Sequence, residues 1–258
     1  MLRAWENLVA FYTLVRKEIS RFLRLWQQTL LPSAVTTSLY FIIFGNLVFN
    51  NVSPVAGHDY ISFIMPGLIM LSVITNSYGN VVSSFFGANF QRHIEELLVS
   101  PMPNQLILIG FLLGGMGRGI CVGIVVGIVA SFFTTVSIHH FGVMIFTIFF
   151  TTMLFSLLGM FNAIFAKKFD DITIIPSFVL TPLIYLGGVF FAIERLSPFW
   201  QKVSYFNPIV YIINLLRYSM LDYISISIAY SMGLLVVFTV FMYTVVSILL
   251  HKGTRLKS

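Results

Sequence analysis

The sequence predicts an all-α integral membrane protein with six transmembrane helices, and three observations carry that prediction. Hydrophobic residues fill 58% of the 258 positions and charged residues only 9%. With a mean hydropathy of +0.93, too few polar side chains remain to cover a water-soluble core. Apolar stretches of about 20 residues, the length that crosses the hydrocarbon layer, lie at 30–49, 61–86, 106–133, 141–165, 172–191 and 226–250. Basic residues gather on one side of the topology these stretches define. So little chain is left between them that 1–258 reads as a single transmembrane domain.

The first element precedes the spans. Leu8, Tyr12, Val15, Ile19, Phe22, Leu23 and Trp26 recur at helical spacing, while Lys17, Arg21 and Arg24 line another face. An amphipathic helix over 5–26 follows, expected to lie on the inner leaflet where basic side chains meet anionic headgroups. No cleavable signal peptide is expected, because a full-length span comes next without a small-residue cleavage site.

Span two carries Asn76, Asn80, Ser83, Ser84 and Gly87 along one side. These groups need partners inside a membrane; they either line a translocation path or hydrogen-bond a neighbouring helix. The stretch FQRHIEELLVSPMP follows at 90–103. Over 90–101 it reads as a short helix with Phe90, Ile94, Leu97 and Leu98 on one face, Gln91, Arg92, Glu95 and Glu96 on another, and Pro101 as its stop. Two carboxylates repel an anionic leaflet, so this helix suits a basic groove on a protein; a solvated turn is the alternative.

In span three, Gly115, Gly119, Gly123 and Gly127 recur every fourth residue and let another backbone approach, inside the protomer or across a dimer. Arg118 is within snorkelling reach of the cytoplasmic end. After span five comes GGVFFAIERLSPFWQKVSYFNPIVYIINLLRYSM, starting at Gly187. It is too interrupted to span and too apolar for water, so 192–222 is expected to dip into the outer half of the membrane as short re-entrant helices. Arg217 should snorkel outward or meet a carbonyl or Asp222.

With both termini in the cytoplasm, 12 of the 15 Lys and Arg residues fall inside. This asymmetry reads as topology, not nucleic-acid binding, since no domain is left to carry a basic patch. The single Cys121 lies within a span and makes no disulfide framework. The sequence has no G-x-x-x-x-G-K-[ST], H-E-x-x-H, C-x-x-C or G-x-S-x-G, so neither an ATPase, a metal site nor a cofactor of its own is expected. The nine acidic residues lie outside the span centres, which argues against ion coupling. Any energy used should come from a partner chain.

The order of parts resembles the permease subunits of type II ABC exporters, the ABC-2 type permeases. The match consists of a basic interfacial helix, six spans, an E-E-L-L-x-x-P helix between spans two and three, and an F-x-x-x-x-x-x-P-F-W…N-P…R segment after span five. The resemblance covers the whole chain. It implies that 90–101 is a coupling helix docking on a separate ATP-binding subunit, through Gln91, Arg92, Glu95, Glu96, Leu97 and Pro101. The interfacial helix would touch the same subunit through Glu18 and Arg21. The resemblance further implies a homodimer in the lipid of a bacterial inner membrane, with the pathway between its copies and Asn76, Asn80, Ser83 and Ser84 as candidate lining. Trp200, Asn207, Pro208 and Arg217 would mark the outer re-entrant segment, and ATP and Mg would sit on the partner. Substrates of the family include glycans, lipids and drugs. An ion-coupled carrier and a non-transporting subunit of a membrane complex remain the rival classes.

Overall fold

The computed structural model describes residues 2–48, 57, 59–99 and 102–253, with the side chains at 2–4, 46–48, 95, 97 and 98 outside that description. No strand occurs among the described residues. The chain opens with α1 (Leu2–Arg24), whose regular helix stops at Leu25 before the single turn α2 (Trp26–Thr29). Next is α3 (Leu31–Val48), with Pro32 in its first turn, where a missing N–H costs nothing.

The central element is α4 (Tyr60–Phe90), 31 residues long. At 1.5 Å per residue it reaches about 46 Å, well beyond the ~30 Å hydrocarbon core. It packs against α3 and against three helices that follow: α6 (Asn104–Ser131), α7 (Phe141–Phe165) and α11 (Pro208–Leu221). Between α4 and α6 lies the short α5 (His93–Val99). The chain then runs through α8 (Asp171–Ile175), a π-helical turn (Pro176–Leu180), α9 (Thr181–Leu186) and α10 (Pro198–Tyr205), and ends in α12 (Ile228–Lys252). Among the described residues, α4, α6, α7 and α12 are long and apolar enough to cross a membrane. Burial ranks them: the apolar window of α4 is 78% buried and that of α12 only 22%.

Three boundaries differ from the sequence expectation. The apolar stretch 172–191 is helical only to Leu186, because Gly187 and Gly188 turn the chain and Gly188 takes φ +82°, a conformation that favours glycine. The resulting Asp171–Leu186 helix is about 24 Å long, short of a full hydrocarbon crossing. The short helix expected at 90–101 contracts to His93–Val99. Phe90 still belongs to α4, and Gln91 and Arg92 form the turn, Arg92 with φ +60°. Pro101 lies outside the described residues. The amphipathic helix expected at 5–26 ends at Arg24.

Close approach of the helices depends on two glycine faces of α6. A Cβ on Gly115 would overlap Ser156 Oγ and Val81 Cγ2, one on Gly119 would overlap Ser77 Oγ, and one on Gly123 would lie 2.8 Å from Val73 Cγ2. This row therefore receives α4 and α7 within the protomer. Gly110, Gly114 and Gly117 form the second face, which receives Leu14, Glu18 and Phe22 of α1. Opposite α6, Gly159 of α7 lets the α4 backbone in, since a Cβ there would sit 2.5 Å from Tyr78 O. Gly127 has open space around it. Gly119→Leu should cost at least the ~1–3 kcal/mol of an overpacked core and lower the yield of monodisperse protein in detergent, whereas Gly127→Leu should leave yield and thermal midpoint unchanged. Equal behaviour of the two variants in size-exclusion and melting assays would refute this packing assignment.

Candidate coupling and translocation surfaces

Asn76, Asn80 and Ser84 stand one turn apart on α4, and each finds a partner within the protomer. Asn76 donates through Nδ2 to Ser33 Oγ of α3 (3.1 Å) and to Ser72 O (2.9 Å). Its Oδ1 accepts from Arg118 Nε and Nη2 of α6 at 3.2 and 3.0 Å. Arg118 thus turns into the bundle, where a neutral amide solvates its charge. One turn further, Arg21 Nη2 of α1 donates to Asn80 O (3.0 Å) and Oδ1 (2.9 Å). Ser84 Oγ donates to Glu18 Oε2 at 2.6 Å, and Arg21 lies 3.4 Å from the same oxygen.

Glu18 is only 1% exposed. A carboxylate so placed requires nearby positive charge and donors, which Arg21 and Ser84 supply. Its other oxygen, Oε1, together with Arg21 Nε and Asn80 Nδ2, has no hydrogen-bond partner among the described residues. Both α1 residues assigned to a partner contact by resemblance therefore point at α4. Helix α1 is sewn to the bundle along Leu14, Glu18, Arg21 and Phe22.

The row of α4 beside this one is open. Thr75 and Ser83 are exposed, and a Cβ added at Gly79 or Gly87 would meet nothing within 4 Å. These four positions follow the i, i+4 ridge of the helix. On one flank the Asn76, Asn80, Ser84 row is covered by α1, α3 and α6. On the other, Tyr78 and Phe86 meet Asn162 of α7 and Phe169 of the α7–α8 turn. Of the four residues named as candidate lining from sequence, Ser83 alone is exposed. Thr75 and Gly79 were missed because large polar asparagines dominate the pattern one residue along. A row of small residues at spacing four was the available signal.

At the end of α4, Ile94 is buried while Gln91, Arg92, His93 and Glu96 are exposed. His93 and Glu96 face Ala10, Thr13, Leu14 and Lys17 of α1 across a cleft of about 380 Å³. The exposed polar residues of α5 thus share one surface with the middle of α1. The side chains of Glu95 and Leu97 lie outside the described set.

The re-entrant segment expected at 192–222 contains α10 and α11, joined at Asn207 and Pro208. Asn207 caps α11 by accepting from Ile209 N (3.0 Å) and holds α9 by donating to Leu183 O (2.5 Å). Pro208 takes the first helical position, which suits its fixed φ. Trp200 is exposed on α10 and meets Phe199 edge to face. Arg217 is buried and donates to backbone carbonyls of Gly188 (2.6 Å), Val189 (3.4 Å) and Phe63 (3.3 Å). Its guanidinium sits 3.8 Å from the centroid of the Phe63 ring. Of the three fates considered from sequence, carbonyl binding is the one realised, and Asp222 pairs with His140 at 3.1 Å.

The sequence pattern of the family described as "ABC-2 type transporter" matches residues 9–221. "Inner membrane transport permease YadH" of Escherichia coli strain K12 is 50% identical over 250 residues, 97% of this chain and 98% of that one. More distant similarity extends to "Nodulation protein J" of Rhizobium leguminosarum bv. viciae, 25% identical over 205 residues and 78% of each chain. The same-named protein of Neorhizobium galegae is 25% identical over 228 residues, 87% of this chain and 86% of that one. The matched residues run from within α1 through the short α5 and the central α4 to the last residue of α11, and on that extent the chain belongs to the ABC-2 type transporter family.

Proposed function

We propose that this chain is the permease subunit of an ATP-driven ABC exporter, working as a homodimer with a separate ATP-binding subunit that holds ATP and Mg. One observation carries the reading: α4 joins α5, through a turn of two residues, to the open row Thr75, Gly79, Ser83 and Gly87. Force applied at α5 reaches that row along one helix. Membership of the family and near full-length similarity to a protein named an inner membrane transport permease support it. In this reading α3 is the first of six crossings, the α8–α9 segment together with the turn at 187–189 held by Arg217 is the fifth, both termini are cytoplasmic, and the host membrane is a bacterial inner membrane.

The mechanism follows from the connections. The ATPase docks on the acidic α5, with Glu95 and Glu96 against a basic groove and Gln91, Arg92, Leu97 and Pro101 around them. Helix α1 lies beside α5 and is tied to α4 through Glu18 and Arg21, so α1, α4 and α6 move together when the ATPase subunits close. The open row of one protomer faces its counterpart, and the two enclose a path that neither copy forms alone. Tyr40 and Tyr185, whose hydroxyls stand 3.5 Å apart, and Phe190, packed on both rings, lie toward the opposite end of the molecule from α5. They offer aromatic faces to a lipid, glycan or hydrophobic small molecule.

The paired change Glu95→Lys with Glu96→Lys puts like charges across the docking contact, a cost of several kcal/mol in an interface. Membrane insertion should survive, because the added lysines fall on the side already positive. Co-purification of the ATPase should fall at least tenfold and return in part with a Lys→Glu change in its groove. Normal co-purification and export by the double variant would remove α5 from the coupling role.

Water access tests the path. In a Cys121→Ser background, Thr75→Cys and Ser83→Cys should react with a membrane-impermeant maleimide in reconstituted vesicles and lose transport once modified. Ile124→Cys, on the exposed apolar face of α6, should stay unreactive. Equal protection of all three positions would place the open row against lipid and exclude it from the pathway.

A further inference from the structure

Between α7, the α8–α9 segment and α12 the protomer holds a cavity of about 340 Å³. Leu154, Leu158 and Phe161 of α7 form its back, and Val179 and Leu183 of the α8–α9 segment form one side. Phe241 of α12 stands opposite, and the Asn207–Pro208 junction closes it through Pro208 and Ile209. We infer that this cavity is a binding site for one acyl chain of a membrane phospholipid, held between α7, the π-helical turn and α12.

Depth, lining, length and opening all point to that occupant. The cavity borders the middle of α4, α7 and α12, where the surrounding medium is hydrocarbon. Among the described residues its one polar lining side chain is Tyr78, whose hydroxyl already accepts from Asn162 Nδ2 at 2.8 Å. A resident water needs two to four polar partners and does not find them. The wall from Ile175 to Leu183 is about 12 Å long, most of the depth of one leaflet of a ~30 Å core. The mouth lies between Val179 and Phe241, which are exposed apolar side chains on different helices.

The π-helical turn accounts for the shape of the wall. Thr181 N and Oγ1 both donate to Pro176 O, five residues back and at 2.9 Å from Oγ1. The turn is widened there, and Phe178 and Val179 on it are exposed. The lining shares no residue with the open row of Thr75, Gly79, Ser83 and Gly87, so the occupant is assigned as a resident bilayer lipid and not cargo in transit. The chain would fill the space under the junction of α10 and α11 and hold that junction against α7.

Photo-cross-linking tests the site with the whole protein in phosphatidylethanolamine–phosphatidylglycerol nanodiscs doped with a phosphatidylcholine bearing a mid-chain diazirine. Peptides covering 154–161 and 238–242 should be labelled several-fold more densely than Ile124 and Ile128 of α6, which are exposed and report bulk lipid. Leu158→Trp, which fills the cavity, should bring that excess down to the α6 level and leave α6 labelling unchanged. Should Leu158→Trp fail to fold, Val179→Trp at the exposed mouth gives the same readout. No excess in the wild type, or an excess that survives the tryptophan, overturns the proposal. Oxidation of the cavity lining in hydroxyl-radical footprinting does so too, because it marks a water-filled space.

Discussion

Hydrocarbon offers no hydrogen bonds, and the bundle is arranged so that the polar groups of α4 meet protein. Asn76, Tyr78, Asn80 and Ser84 are all buried on one long helix. Leaving such a group unpaired in an apolar medium costs several kcal/mol. Four elements converge on α4 to meet that demand: Arg21 and Glu18 come from α1, Ser33 from α3, Arg118 from α6 and Asn162 from α7. That demand makes α4 the centre of the molecule and draws an amphipathic helix inward along one side. Helix α1 keeps Tyr12 and Leu23 exposed, but its charged residues at 18 and 21 serve the interior.

The small residues of α6 make this convergence sterically feasible. Its two glycine faces accept α1 on one side and α4 with α7 on the other. Charged and amide groups can pair at these distances only when the backbones come this close. Packing and polar pairing therefore depend on the same positions. The peripheral helices are free of that constraint: α12 presents Val237, Val240 and Phe241 to its surroundings, and α8 with its π turn presents Phe178 and Val179.

At the end remote from α5 the same rule is met with backbone in place of side chains. The chain must reverse after α9, and the reversal leaves the carbonyls of Gly188 and Val189 inside the protein. Arg217 reaches both, and the Phe63 carbonyl as well. Its positive charge sits in a ring of partial negative charges and on an aromatic face, without a carboxylate. Glu194 is occupied elsewhere, accepting from Tyr223 OH (3.4 Å) and Ser225 Oγ. An arginine that reads in sequence as costly in lipid becomes the pin that fixes a non-helical segment inside the protein.

The sequence by itself determined the helical membrane class, the order of parts, the short charged helix after the second apolar stretch and the break after the fifth. Each follows from local chemistry: apolar length, proline and glycine positions, and the spacing of charges. Only the tertiary structure decided which row of α4 is paired and which is open. Asn76 and Thr75 are neighbours in sequence and lie about 100° apart around the helix axis, so periodicity treats their rows alike. What covers each row comes from far along the chain: Arg118 is 42 residues from Asn76, and Glu18 is 66 from Ser84. The same holds for the helix ends. Gln91 and Arg92 read as the first turn of a polar helical face, yet α4 runs on to Phe90 and the chain bends there. A glycine row legible as close packing likewise did not reveal its partner, because Gly119 meets Ser77 and Thr152 on helices that precede and follow it. Local sequence sets which surfaces need a neighbour, and the packing of distant segments selects which neighbour arrives.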